Sequence, residues 1–92
     1  PFIHAAEVPL KTALAAAEAY GTVRVALPLC GAAVSSDMNC ALHLLKAAAL
    51  CAVENVKINL GGIKDQSKAD DLRARLEECL KDLLKDGIPV VL

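Results

Sequence analysis

The sequence predicts an all-α fold: an antiparallel helical bundle with one long central helix over about residues 37–60, completed by a partner chain or a missing segment. Three observations point there. Of the 92 residues, seventeen are Ala and fifteen are Leu, so about a third of the chain is two strong helix formers. Aromatics are nearly absent, with Phe2, Tyr20 and no Trp. The core of so small a chain must therefore be assembled from many small contacts, which suits close helix packing. Finally, hydrophobic residues make up 55% of the chain and mean hydropathy is +0.44. That is high for a small soluble monomer and implies apolar surface left for a partner.

Residues 3–20 read as the first helix. His4, Glu7, Lys11 and Glu18 fall on one stripe, and the rest is nearly all apolar. Pro9 lies inside this pattern, where its missing N–H and ring should kink the helix near Ala5 or start a new one. Gly21 is expected to break the regularity. Thr22 to Val25 has strand composition, but one strand makes no sheet, so residues 22–30 are assigned to a short helix disturbed by Pro28 and ending at Cys30-Gly31. A pairing of 22–27 with Val90-Val91-Leu92 is the lesser alternative. Gly31 to Ser36 reads as a small-residue loop, and Ser36 or Asp37 as the N-cap of the central helix. That helix carries a polar stripe of Asn39, His43, Lys46, Glu54 and Lys57, and is apolar almost all round otherwise, which places it at a bundle centre or an interface. Gly61-Gly62 ends it. Ser67 with Asp70 resembles a capping box that opens an amphipathic helix over 68–86. Its buried face is Leu72, Leu76, Cys79, Leu80, Leu83 and Leu84. Asp71 with Arg75 and Glu77 with Lys81 are its expected ion pairs, and Gly87 and Pro89 its stop. Residues 1–92 thus read as a single helical unit.

Several function classes drop out. Ten basic and eleven acidic residues give a charge of −1, with the basic residues scattered, so there is no footprint for a nucleic-acid backbone. No apolar run is long enough to span a bilayer, because Lys46, Glu54 and Lys57 interrupt the longest. No leader pattern opens the chain. It begins at Pro1 without Met and is expected to be trimmed or partial. Cys30, Cys40, Cys51 and Cys79 contain no C-x-x-C pair, and only His4 and His43 could join them, so no metal site is expected. Cys51 and Cys79 at helical spacing read as buried, reduced cysteines, which suits the cytoplasm.

Few residues invite chemistry. Asn55 and Asn59 stand one turn apart among apolar neighbours; they either hydrogen-bond across a helix interface or line a pocket and fix a polar heterocycle. Asp37 is either a helix cap or an acid or base at the mouth of a cleft. His43 has no Ser or Asp at triad spacing and reads as solvated. Gly61-Gly62 is followed by no Lys-Ser or Lys-Thr, so it is no phosphate loop.

The order of features nevertheless resembles a known family. Ala6-Glu7-Val8-Pro9-Leu10 lies within a helix, then Cys30-Gly31 closes one, and Ser36-Asp37 follows a small-residue loop. A long Ala-rich helix then ends in Asn55-Val56-Lys57-Ile58-Asn59-Leu60, before Ile63-Lys64-Asp65. Over residues 4 to 86 this looks like the C-terminal half of the formiminotetrahydrofolate cyclodeaminase and methenyltetrahydrofolate cyclohydrolase family. The resemblance implies a dimeric all-helical protein of cytoplasmic folate chemistry, without a metal. It would convert 5-formiminotetrahydrofolate to 5,10-methenyltetrahydrofolate with release of ammonia, or hydrolyse the methenyl form. The substrate would be a tetrahydrofolate derivative. Asp37 carries over as the catalytic candidate, and Ser36, Asn55 and Asn59 as substrate-binding ones; Lys57 or Lys46 could meet the anionic tail of a folate. A further N-terminal portion, with a Gly-rich segment and a catalytic aspartate, is implied and matches nothing in residues 1–92. The alternative is a non-catalytic helical dimerisation module derived from the same family.

Overall fold

A computed structural model describes residues 1–84, which are helical throughout apart from the connections and contain no strand. Helix α1 runs Phe2–Ala26 and passes into a single 3-10 turn, Leu27–Leu29. Helix α2 runs Ala32–Leu60, α3 runs Gln66–Cys79, and a last turn, α4, spans Lys81–Leu84. The all-α expectation holds. The expected ends at residues 85–86, Gly87 and Pro89, the candidate strand at 90–92, and the side chains of Cys79 and Leu84 lie outside the described residues.

Helix α1 is longer than its periodicity suggested. It continues through Pro9 as one helix rather than restarting there. It also continues through Gly21, where the sequence had placed a break. Thr22, Val23 and Val25 are helical rather than extended, and the Thr22 hydroxyl donates to the Glu18 carbonyl at 3.2 Å, one turn back. Packing of the α1 flank decides against local propensity here, since Tyr20 on the preceding turn is buried. The chain reverses through Cys30 and Gly31, whose ψ angles of 146° and 164° are extended. Helix α2 therefore starts at Ala32, five residues before Asp37. Gly31 is its N-cap, and the Gly31 carbonyl accepts from the N–H groups of Val34 and Ser35. Ser36 and Asp37 are not caps; both lie inside the helix and are exposed. Ala32 and Ala33 are good helix formers, so helix rather than loop fills the short connection.

The connection forces α1 and α2 antiparallel, and α1 packs along α2 for most of its length. The α1 side of the seam is Ala6, Leu10, Ala13, Ala16 and Tyr20. The α2 side is Leu42, Lys46, Ala49, Ala52, Val53, Val56 and Leu60, with steps of three and four that keep one stripe inward. Lys46 departs from the expected polar stripe: only 8% of it is exposed. Its four-carbon stem covers the seam as an apolar side chain does. Conversely, the outward face of α2 is apolar and uncovered, with Leu44 71% and Ile58 77% exposed. Cys51, expected in the core, is exposed on that face as a free thiol, as is Cys40. The helical period turns Cys51 away from Ala49 and Val53.

Helix α3 folds back beside α1 and parallel to it: Ile3 and Glu7 line one concavity with Ser67 and Asp71, while Leu14 lines another with Ala74 and Glu78. Leu72, Leu76, Leu80 and Leu83 are buried as expected. The cap, however, is Asp65 rather than the Ser67–Asp70 box. Its Oδ1 accepts from the Ser67 hydroxyl at 2.8 Å and from the N–H groups of Ser67 and Lys68 at 3.1 and 3.3 Å. Asp70 instead accepts from the Gln66 amide at 2.9 Å. Ion pairs form at i,i+3, Asp70 with Arg73 and Glu78 with Lys81, in place of the expected i,i+4 pairs.

Two outcomes follow from these ends and interiors. A Cβ at Gly21 would meet nothing within 4 Å, so Gly21→Ala should stabilise the chain by about 0.5–1 kcal/mol, read as a raised urea midpoint at unchanged m. The Ser67 hydroxyl bond, followed by the Lys68 N–H, lowers the Asp65 carboxyl below its ordinary value. The cap's contribution is therefore complete above the unfolded carboxylate value of about 4 and lost as pH falls through the lower folded one. Asp65→Asn should remove that acid-limb dependence in thermal melts, and Asp65→Ala should lower Tm by a few degrees at neutral pH.

Candidate functional site

The five candidate residues all sit on α2, and one straight helix decides their geometry. Ser36 and Asp37 lie in its second turn; Asn55, Lys57 and Asn59 lie in its last turns. Eighteen residues at ~1.5 Å each separate Asp37 from Asn55 by about 27 Å. A single chain therefore brings Asn55 and Asn59 together, one turn apart, and Ser36 beside Asp37; Lys57 points to the other side of α2, and the two groups do not share one cavity.

At the distal group, the Asn59 amide donates to the Asn55 backbone carbonyl at 2.9 Å. This is a bond within one helix, not the helix-to-helix bridge that the sequence allowed. The Asn55 side chain is exposed. Lys57 is half-buried and pairs with Glu54 at 3.4 Å. His43 is exposed, as read. Among the described residues, no three or more His, Cys, Asp or Glu side chains cluster in a way that could hold a metal ion. No described helix is long and apolar enough to cross a membrane.

Concave surface lies elsewhere. A cavity of about 430 Å³ opens where α1 begins and α2 ends, lined by Phe2, Ile3, Gly62, Ile63, Lys64 and Asp65 among others. Its size falls in the range of small-molecule pockets. The Phe2 ring lies so close to Gly62 that an added Cβ would stand 2.5 Å from its Cδ1. A second concavity, of about 400 Å³, runs between α1 and α3 and is lined by Glu7, Ser67, Lys68, Asp71 and Arg75 with Ile3 and Leu72. Neither includes any of the five candidates. One hint of the first cavity lies in the sequence: Gly61-Gly62, which ends the central helix, stands at its rim. The pairing of Gly62 with Phe2, sixty residues apart, had no local signal.

The sequence matches a known family. The family model for formiminotransferase-cyclodeaminase covers residues 2–78. The chain belongs to this family. The matched span of the formiminotransferase-cyclodeaminase domain includes all five candidate residues and the lining of both concavities apart from Pro1. It stops short of the α4 turn. No curated protein and no solved structure matches the chain.

The Phe2–Gly62 contact is testable as a couple. Gly62→Ala should destabilise the chain by about 1 kcal/mol, while the same change in a Phe2→Ala background should be close to neutral. Urea unfolding of the four chains measures the difference.

Proposed function

We propose that the chain is part of a folate-dependent one-carbon enzyme of the cytoplasm, acting on a tetrahydrofolate derivative without a metal. It forms 5,10-methenyltetrahydrofolate from the 5-formimino compound with loss of ammonia, or hydrolyses the methenyl form. The observation that carries this reading is the family match over residues 2–78.

Both reactions need an acid and a base beside the one-carbon unit. When the ring closes, a folate nitrogen attacks the formimino carbon and loses a proton, and the departing nitrogen gains one. Asp37 is the group assigned to that exchange. Its exposed carboxyl lies in the second turn of α2. Ser36 flanks it. Asn55 and Asn59 are assigned to the heterocycle, which presents donors and acceptors that amides can match. Lys57 is assigned to the anionic tail.

One observation favours the second reading, a non-catalytic dimerisation module: the 27 Å between Asp37 and Asn55 along one helix keeps a lone chain from placing both on one substrate. Absorbance spectroscopy separates the two. With 5-formiminotetrahydrofolate, growth of the methenyl band marks the deaminase; with the methenyl compound, decay faster than in buffer marks the hydrolase. Asp37→Asn should lower either rate by about 100-fold or more. Asn55→Ala should weaken folate binding and leave Tm unchanged. No spectral change with either substrate, from a chain with full helical circular dichroism, would leave the module reading standing.

A further inference from the structure

The concavity of about 400 Å³ between α1 and α3 takes no part in the folate reading. Helical spacing builds its two walls. Ile3 and Glu7 stand one turn apart on α1, and Lys68, Asp71 and Arg75 follow at steps of three and four on α3. Leu72, which is buried, and Ile3, which is partly so, give it an apolar floor. The two helices run parallel with a fixed offset. The offset that sets Leu14 beside Glu78 also sets Glu7 level with Asp71.

The charges above that floor are mixed, and most of them are unmet. Among the described residues, Glu7, Asp71 and Arg75 take part in no ion pair and no side-chain hydrogen bond. Asp71 and Arg75 have the i,i+4 spacing that would allow one. Glu7 is the least exposed of the charged lining residues. Lys68 is in a different position. Its N–H donates to the Asp65 carboxylate at 3.3 Å, and its ammonium already feels that negative charge. The open set is therefore two carboxylates at one level, one from each helix, and one guanidinium a turn further along.

We propose that this concavity binds an α-amino acid with an apolar side chain, as the zwitterion. The ammonium sits between Glu7 and Asp71, where its three N–H donors find acceptors from both helices. The carboxylate lies one turn further along α3, on the planar fork of Arg75. The side chain covers Ile3 and Leu72. The lining itself excludes other classes of ligand. A nucleotide would bring phosphate against two carboxylates and would find no aromatic face for its base. A simple amine leaves Arg75 unmet, and a simple carboxylate leaves Glu7 and Asp71 unmet. A metal ion would want a third ligand, and no three His, Cys, Asp or Glu side chains cluster among the described residues. The volume is at the lower end of small-molecule pockets and suits one amino acid rather than a peptide. None of the folate candidates lines this site, so either assignment can fail without the other.

The test uses the full chain, labelled with 15N, and L-leucine as the probe. Leucine should shift the amide resonances of residues 3–7 and 68–75 in a saturable way. 4-Methylpentanoate lacks the ammonium and 3-methylbutylamine lacks the carboxylate; each should bind about 10-fold more weakly or worse. Glycine, without the side chain, should also lose about 10-fold. Glu7→Gln and Arg75→Gln should each weaken leucine binding by about 10-fold with unchanged helical circular dichroism. No saturable shift, equal binding by either analogue or by glycine, or full affinity in either variant would overturn the proposal. So would energetic coupling between Glu7→Gln and Arg75→Gln in urea unfolding of the ligand-free chain, because the two groups would then be neutralising each other.

Discussion

Alanine is the commonest residue in the seam between α1 and α2, and most other features of the chain depend on that choice. Ala6, Ala13 and Ala16 on one side face a stripe that includes Ala49 and Ala52 on the other. Methyl groups let two helix axes approach closely, but each removes little apolar area from water. Such a seam needs length, and both helices are long, at 25 and 29 residues. It also leaves few bulky groups inside. Among the described residues the fully buried large ones number six: Leu10, Val53 and Val56, with Leu76, Leu80 and Leu83 from the stretch that runs from α3 into α4. The short third helix is therefore the part that brings bulk to an otherwise thin core.

A thin core means that the chain's many apolar residues cannot all be turned inward. The surplus appears as ordered stripes rather than scattered singles. On α2 the outward stripe has the same three-and-four spacing as the inward one, so the helix offers two docking faces and is designed as the middle of something wider. This placement gives physical content to the family membership. Asp37 and Asn55 lie toward the two ends of that open face.

Much of this was legible in the sequence. Helix existence, the length class of α2, the leucine face of α3 and the surplus of apolar surface all follow from composition and period. Boundaries were less legible, because they are decided by packing. Gly21 and Thr22 look like a break, yet the burial of Tyr20 carries the helix past them. Ser36 and Asp37 look like caps, yet the alanines before them prefer helix, and Gly31 serves instead. Ser67 and Asp70 mimic a cap, yet Asp65 accepts the free N–H groups of Ser67 and Lys68. Lys46 was assigned to solvent by its charge, while its stem fits the seam. Asp37, Asn55 and Asn59 stand out as polar residues in themselves, and Ser36 joins them through the family pattern; their separation along one rod is implicit in the numbering. The Phe2–Gly62 contact joins distant positions, which no local pattern encodes.

A seam of methyl groups has a mechanical side as well. Alanine has no rotamers to freeze, so the interface forms without loss of side-chain entropy, but it also presents shallow ridges and few interlocking knobs. Along its middle, only Leu10, Val53, Val56 and the Lys46 stem interrupt a shallow contact. The bulkiest stops against a slide sit at the two extremities: Tyr20, buried near the reversal, and the Phe2 ring against Gly62 at the open end. The hairpin is in effect a rail with a stop at each end. Its register is stored in two aromatic side chains, the only aromatics the sequence contains.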